Sequence, residues 1–253
     1  MTYDLTVNEL DLPISNVPDS ELAKLSDRSY LPYIKLVGTS SKEAEDGSVK
    51  PGTYLLYKDQ STKLDLTNSF EVMVVATRPL ACRKTSSTTL RFYDMASADY
   101  KAVEIDAAKD GMTGTWFGPE FLVWVRSLKM WATFHASSAT AQGRSANLVT
   151  ILRQWASAKA SKKQAISAAD TDEARARAQA IIVPNPQATF RSTLISYAKI
   201  NKKQWGPEFV PCTTPFSEVP SFEELREQAM KFVNPAKVEK ETVAAGEGAS
   251  DRG

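Results

Sequence analysis

The chain predicts a mainly β fold, an antiparallel barrel or curved sheet carrying two or three helices as insertions. Three observations lead there. Short runs of aromatic and β-branched residues recur between Pro, Gly, Asn and Asp punctuation. The hydrophobic period turns helical in the middle of the chain and again near its end. Strands and helices follow in a non-alternating order, which points to antiparallel pairing.

In chain order, residues 1–29 read as an N-terminal arm, broken by Pro13 and Pro18. A single globular domain is expected over residues 30–236. Its first strand is the run 30–37, with Pro32 near the start. A polar loop around Asp46-Gly47 and the Pro51-Gly52 turn lead to a second strand at 53–57. Residues 70–77, Phe-Glu-Val-Met-Val-Val-Ala-Thr, form the clearest buried strand before the centre, and 88–93 are expected as another. The acidic stretch 94–115 is expected to be a loop, marked by Gly111 and Gly114.

The centre is residues 116–155, which hold four of the five tryptophans and the sole histidine, so any special surface is sought there first. Residues 120–126 and 130–136 read as a hairpin. With an even-numbered loop, Arg126 faces Trp131 and Trp124 faces Thr133. Alternation then puts Phe121, Val123, Val125, Ala132 and Phe134 on a core face, and Leu122, Trp124, Arg126, Trp131, Thr133 and His135 on the other. Flat aromatics beside a cation suit a platform that stacks bases and holds phosphates. The alternative is a second packing face covered by a helix, the commoner role of aromatics in strands. A helical insertion at about 139–182 follows: Leu148, Leu152 and Trp155 share a face, and residues 156–180 are Ala-, Ser- and Lys-rich, either a second helix or a flexible loop. A strand resumes at 188–197, and the cationic run 199–205 follows before 209–212. Ser221 and Glu224 make a capping box for a helix with Leu225, Ala229 and Phe232 inward. Residues 237–253 lack core-forming side chains and are expected to be a disordered tail.

Net charge is +1, but the charges are segregated. Residues 72–93 carry four bases, 121–169 seven and 174–207 six, with no acid in any of them, whereas residues 1–46 carry nine acids against four bases. Such segregation can build one basic face on a near-neutral protein, and separate solvated faces are the alternative. The candidate nucleic-acid-binding residues are therefore Arg83, Lys84, Trp124, Arg126, Lys129, Trp131, His135, Arg144, Arg191, Tyr197, Lys199, Lys202, Lys203 and Trp205. The three basic segments are expected to share one surface.

Catalytic signatures are absent: no phosphate loop, no dinucleotide fingerprint, no His-Glu-x-x-His. One histidine is too few for a His-rich metal centre, and Cys82 and Cys212 form no ligand pair. The expectation is a non-enzymatic protein without cofactor. No apolar run approaches a membrane span and residues 1–15 lack a signal-peptide core, so a cytoplasmic protein without membrane contact is expected.

In the segments LPYIKLVGTSSKEAEDGSVKPGTYLL, FGPEFLVWV with MWATFHASSATAQGR, and ISYAKINKKQWGPEF, the chain resembles proteins from phage replication and recombination regions. It is most similar to the phage single-stranded-DNA-binding proteins built on an OB-fold-like barrel. That resemblance covers residues 30–233 in layout and carries no residue over position by position. It implies an OB-fold-like sheet, non-sequence-specific coating of single strands in phage replication and recombination, self-association, contact with phage or host replication proteins, and the host cytoplasm as the setting. The chain departs from the pattern at its end, Ser250-Asp251-Arg252-Gly253, where such proteins carry a strongly acidic tail with a terminal aromatic. The competing expectation is a phage structural or assembly protein whose aromatic hairpin packs in a subunit interface.

Overall fold

A computed structural model describes residues 31–59, 62–85, 88–109, 114–183, 185–197, 202–212, 216, 218–234 and 238–242. Strand β1 (Tyr33–Leu36) is followed by the short helix α1 (Lys42–Glu45), β2 (Tyr54–Tyr57), β3 (Lys63–Asp65) and β4 (Ser69–Lys84). Then come β5 (Thr88–Phe92), α2 (Ala98–Ala107), β6 (Thr115–Val125), β7 (Met130–His135) and α3 (Ala139–Ala168). The series ends with α4 (Asp172–Gln179), β8 (Gln187–Tyr197), β9 (Lys202–Pro211), α5 (Phe222–Val233) and β10 (Val238–Thr242).

These strands form one large sheet in a mixed α/β protein, in the order β10-β5-β4-β6-β7-β1-β2-β3, with β8 paired to β4 and β9 paired to β8. The long strand β4 explains this branching. Its first residues, Ser69–Met73, pair with β8, whereas Ala81–Lys84 pair with β5 on the antiparallel ladder. Between them β4 has only β6 as a strand neighbour among the described residues. The sheet therefore splits instead of closing, and it is an open curled sheet, not the barrel that was one expectation. Its pairings are antiparallel except β1 with β7, which run parallel.

Alternation of apolar residues builds the main core. Ile34, Tyr54 and Leu56 meet Phe70, Val72, Phe121, Val123, Val125, Phe134, Phe190 and Phe209, with Leu148, Val149, Ile151 and Leu152 of α3 laid against them. The sheet curls far enough for the Tyr54 hydroxyl, on β2, to donate to the Arg191 carbonyl on β8 at 2.9 Å. Gly118 lets β6 pass close to the end of β7: its φ is +146°, and a Cβ would lie 2.1 Å from the Ala136 carbonyl oxygen.

The hairpin of β6 and β7 pairs Trp124 with Trp131 and Val123 with Ala132, two residues from the expected register. Arg126–Leu128 coil into a 3-10 turn, and Lys129 takes a left-handed conformation at φ 49° to close the loop. A shift of two leaves each side chain on its expected face. The five expected core residues are accordingly all buried.

Three segments differ from expectation. The acidic stretch holds helix α2, capped by the Ser97 hydroxyl and anchored by Tyr100 and Val103 against Ala81 and Phe92. Two anchors make too weak a stripe to read from sequence. The insertion is helical as expected, with α4 capped by the Thr171 hydroxyl and folded back on α3, but α3 runs unbroken for 30 residues, well past Trp155. Ala-rich composition favours continuation because Ala has the highest helix propensity. Val238–Thr242, expected in the disordered tail, add strand β10 to the edge of β5 through main-chain bonds that need no core periodicity. The expected arm, residues 1–29, and the end of the tail, 243–253, lie outside the described residues. Among those described, no helix is long and apolar enough to cross a membrane.

Candidate nucleic-acid interface

The second face of the β6–β7 hairpin is packed rather than open. Trp124 and Trp131 meet edge to face with centroids 5.2 Å apart, against a cluster of Met73, Val75, Leu122, Phe216, Ala229 and Phe232. The inward stripe of α5, started by the expected Ser221–Glu224 capping box, supplies Ala229 and Phe232. The amphipathic helix and the aromatic face each need an apolar partner, and each covers the other. Both rings stay half-buried, and the buried Trp124 Nε1 has no hydrogen-bond partner among the described residues. The reading of this face as a base platform is corrected to the packing alternative.

The remaining hairpin candidates have protein partners. Arg126 pairs with Glu71 and lies 4.9 Å over the Phe216 ring. Lys129 pairs with Glu218 at 3.0 Å, both about two-thirds exposed, a contact of small energetic weight. His135 is half-buried with its Nε2 shielded from solvent; burial, against the opposing pull of Glu120, pushes its pKa down to about 4, so the ring is neutral and no phosphate ligand.

Nor do all three basic segments converge. Arg83 pairs with Asp106 at 3.1 Å and stands opposite Thr115, whereas Val72 stands opposite Val125 at the other end of the same ladder. Eleven residues of strand separate these ends, roughly 35 Å. Arg83 and Lys84 thus lie far from Arg126 and Lys129, so the expected single surface fails for the first segment, while the second and third meet where Arg144 reaches Thr193. Arg144 is structural, donating to Thr193 Oγ1 at 2.7 Å and the Pro207 carbonyl at 3.0 Å. Arg191 and Lys203 are exposed on the β8–β9 hairpin. Trp205 is half-buried beneath Gly52, where a Cβ would stand 2.7 Å from the indole. Lys199 and the side chains of Tyr197 and Lys202 lie outside the described set.

A different set of cations is brought together. At the middle of α3, Trp155 packs beside Val74, Val75 and Pro186, along the edge of β4 left open between β8 and β5. Beyond it the helix lines a groove of about 1430 Å³, whose walls are residues 179–183 with Asn185 and the start of α5. Trp155, Lys159, Lys162 and Ile166 follow one another at helical spacing, so all four belong to one stripe. Arg153 and Lys163 line the groove as well, and no described lining residue is Asp or Glu. Lys159 Nζ lies 4.7 Å from the Trp155 ring centroid and 5.3 Å from that of Phe222. Lys162 Nζ donates across the groove to the Ile181 carbonyl at 2.7 Å. The rim is apolar and open: Phe222 is 59% exposed and Ile182 88%. Phosphates can be neutralised here and flat rings stacked.

The acid-free segment 121–169 contains all four of these cations, so its charge pattern pointed at the groove. The residues were missed because an Ala-, Ser- and Lys-rich run shows no apolar period to fix it as one helix. Comparisons with protein-family models, curated proteins and solved structures return no match to this chain.

Proposed function

We propose that the protein binds single-stranded DNA without reading its sequence, in phage replication or recombination, and that the strand lies in the groove between α3 and the start of α5. The observation that carries this reading is the pair of rings, Trp155 and Phe222, bridged by Lys159 in a groove with four cations and no acidic lining residue. Each stacked base contributes about 1–3 kcal/mol, and each neutralised phosphate adds a salt-dependent increment. The curled, mostly antiparallel sheet is in keeping with an opened relative of the OB-fold, the architecture suggested by the resemblance above.

The exposed Ile181, Ile182 and Phe222 favour a second reading, in which the groove takes an apolar segment of a partner protein. Binding of an oligonucleotide to the intact protein, followed across a salt series, separates the two. Four phosphate contacts give a slope of log K against log salt of about −3. Replacing Lys159, Lys162 and Lys163 by Gln should flatten that slope by about two units, with the fold intact. Retention of the full slope in the triple variant would show that the strand lies elsewhere; no oligonucleotide binding at low salt leaves the protein-interface reading.

A further inference from the structure

The groove is basic and apolar at once, and the chain contains a segment complementary in both respects. Residues 1–30 hold six acids, Asp4, Glu9, Asp11, Asp19, Glu21 and Asp27, against the two bases Lys24 and Arg28. Leu, Ile and Val are interspersed among these acids throughout. The opposing surface offers Arg153, Lys159, Lys162 and Lys163 with an exposed rim of Ile181, Ile182 and Phe222.

The point of attachment favours an encounter. Leu31 packs against the same apolar cluster as Trp155, Val219 and Leu225. Those three also line the groove. Pro32, next in the chain, is fixed by its carbonyl accepting from the Thr133 N–H at 2.7 Å. Thirty residues can extend to roughly 100 Å, so reach is not limiting. Tethering on this scale gives an effective concentration on the order of millimolar, enough for a weak electrostatic contact to be populated.

We infer that residues 1–30 dock in the groove of the same molecule, their carboxylates against its lysines. The docking itself needs only the groove; competition with a nucleic-acid strand rests on the function proposed above. The segment then acts as an internal rival that raises the concentration of strand needed for binding.

The test uses the full chain and lysine acetylation followed by mass spectrometry at low salt, without nucleic acid. One form is unaltered; the other carries Asp4→Asn, Glu9→Gln, Asp11→Asn, Asp19→Asn, Glu21→Gln and Asp27→Asn. Acetylation at Lys159, Lys162 and Lys163 should be at least threefold faster in the neutralised form, while the exposed Lys101 on α2 reacts equally in both. In the unaltered chain, about 0.5 M salt should release the same lysines, because screening shortens the reach of charge to a few ångström. Equal reactivity in both forms overturns the inference, as does protection that grows with protein concentration, which assigns the acids to a second copy. An oligonucleotide that protects these lysines, and binds the neutralised form at least fivefold more tightly, supports the competition. If neutralisation exposes the lysines but no oligonucleotide protects them in either form, the docking stands and the nucleic-acid reading falls.

Discussion

Arg78 Nε donates to Glu120 Oε2 at 2.7 Å across the β4–β6 ladder, where the two residues stand directly opposite each other. The guanidinium is held between two rings, 4.2 Å from Tyr93 and 4.1 Å from Phe232, and its Nη1 donates to the Phe232 carbonyl at 2.6 Å. One side chain thus ties the sheet to the end of α5. Glu120 is only 2% exposed, and the nearby Arg78 and Arg91 hold its carboxyl below the usual range against the opposing effect of burial.

Arg78→Ala should therefore destabilise the protein by about 3 kcal/mol, since it leaves a buried carboxylate with only the longer contact to Arg91, at 3.7 Å. Adding Glu120→Gln should recover part of that loss. Urea denaturation of the two variants checks this, and a double variant no more stable than Arg78→Ala would deny the coupling.

His135 makes stability fall on the acid side. Its folded pKa, about 4, lies below the 6.5 of an unperturbed histidine, so the unfolded chain binds a proton first. Stability contributed by the neutral ring is complete above pH 6.5 and is lost as pH falls towards 4, by up to about 3 kcal/mol. His135→Gln should abolish the slope between these limits; an unchanged slope in urea midpoints would assign it to other groups.

Phe222 and Trp124 should separate binding from folding. Phe222→Ala, at an exposed rim position, should leave stability within about 0.5 kcal/mol and weaken oligonucleotide binding by about 1–3 kcal/mol. Trp124→Ala removes a ring packed beneath α5 and should cost about 3 kcal/mol of stability with affinity unchanged. Thermal melts and fluorescence titrations of both variants decide, and a reversed pattern would return the platform to the hairpin.

Gly118→Ala should be among the most damaging single-methyl changes in the chain. The added carbon would meet the Ala136 carbonyl oxygen at 2.1 Å, from a backbone conformation that L residues avoid. A loss of more than about 3 kcal/mol is expected, read as the denaturation midpoint or as insoluble expression. A variant of near-native stability would mean that β6 can move away from the β7 end.

Local patterns were legible from sequence wherever one neighbour-to-neighbour rule governs them. Alternation assigns Phe121, Val123, Val125, Ala132 and Phe134 to a core face, and they lie there although the hairpin register differs by two from the expected one. Ser221 and Glu224 marked the start of α5, and Leu225, Ala229 and Phe232 its inward stripe, because capping and helical period are properties of a dozen consecutive residues. The acid-free charge pattern of residues 121–169 was likewise plain, though only part of it reaches the groove.

What those faces meet was decided only by the tertiary structure. Alternation puts Trp124 and Trp131 on the solvent-or-packing side of the sheet, but α5, some ninety residues further along the chain, has to dock there to settle which. Arg83 and Arg126 belong to similar basic runs, yet pairing along β4 carried them to opposite ends of one ladder. Lys159, Lys162 and Lys163 became one wall of a groove because α3 continues past the sheet edge and α5 begins beside it. Periodicity determines which side of an element is apolar; which other element buries that side is a competition among distant segments, and its outcome is not written in any one of them.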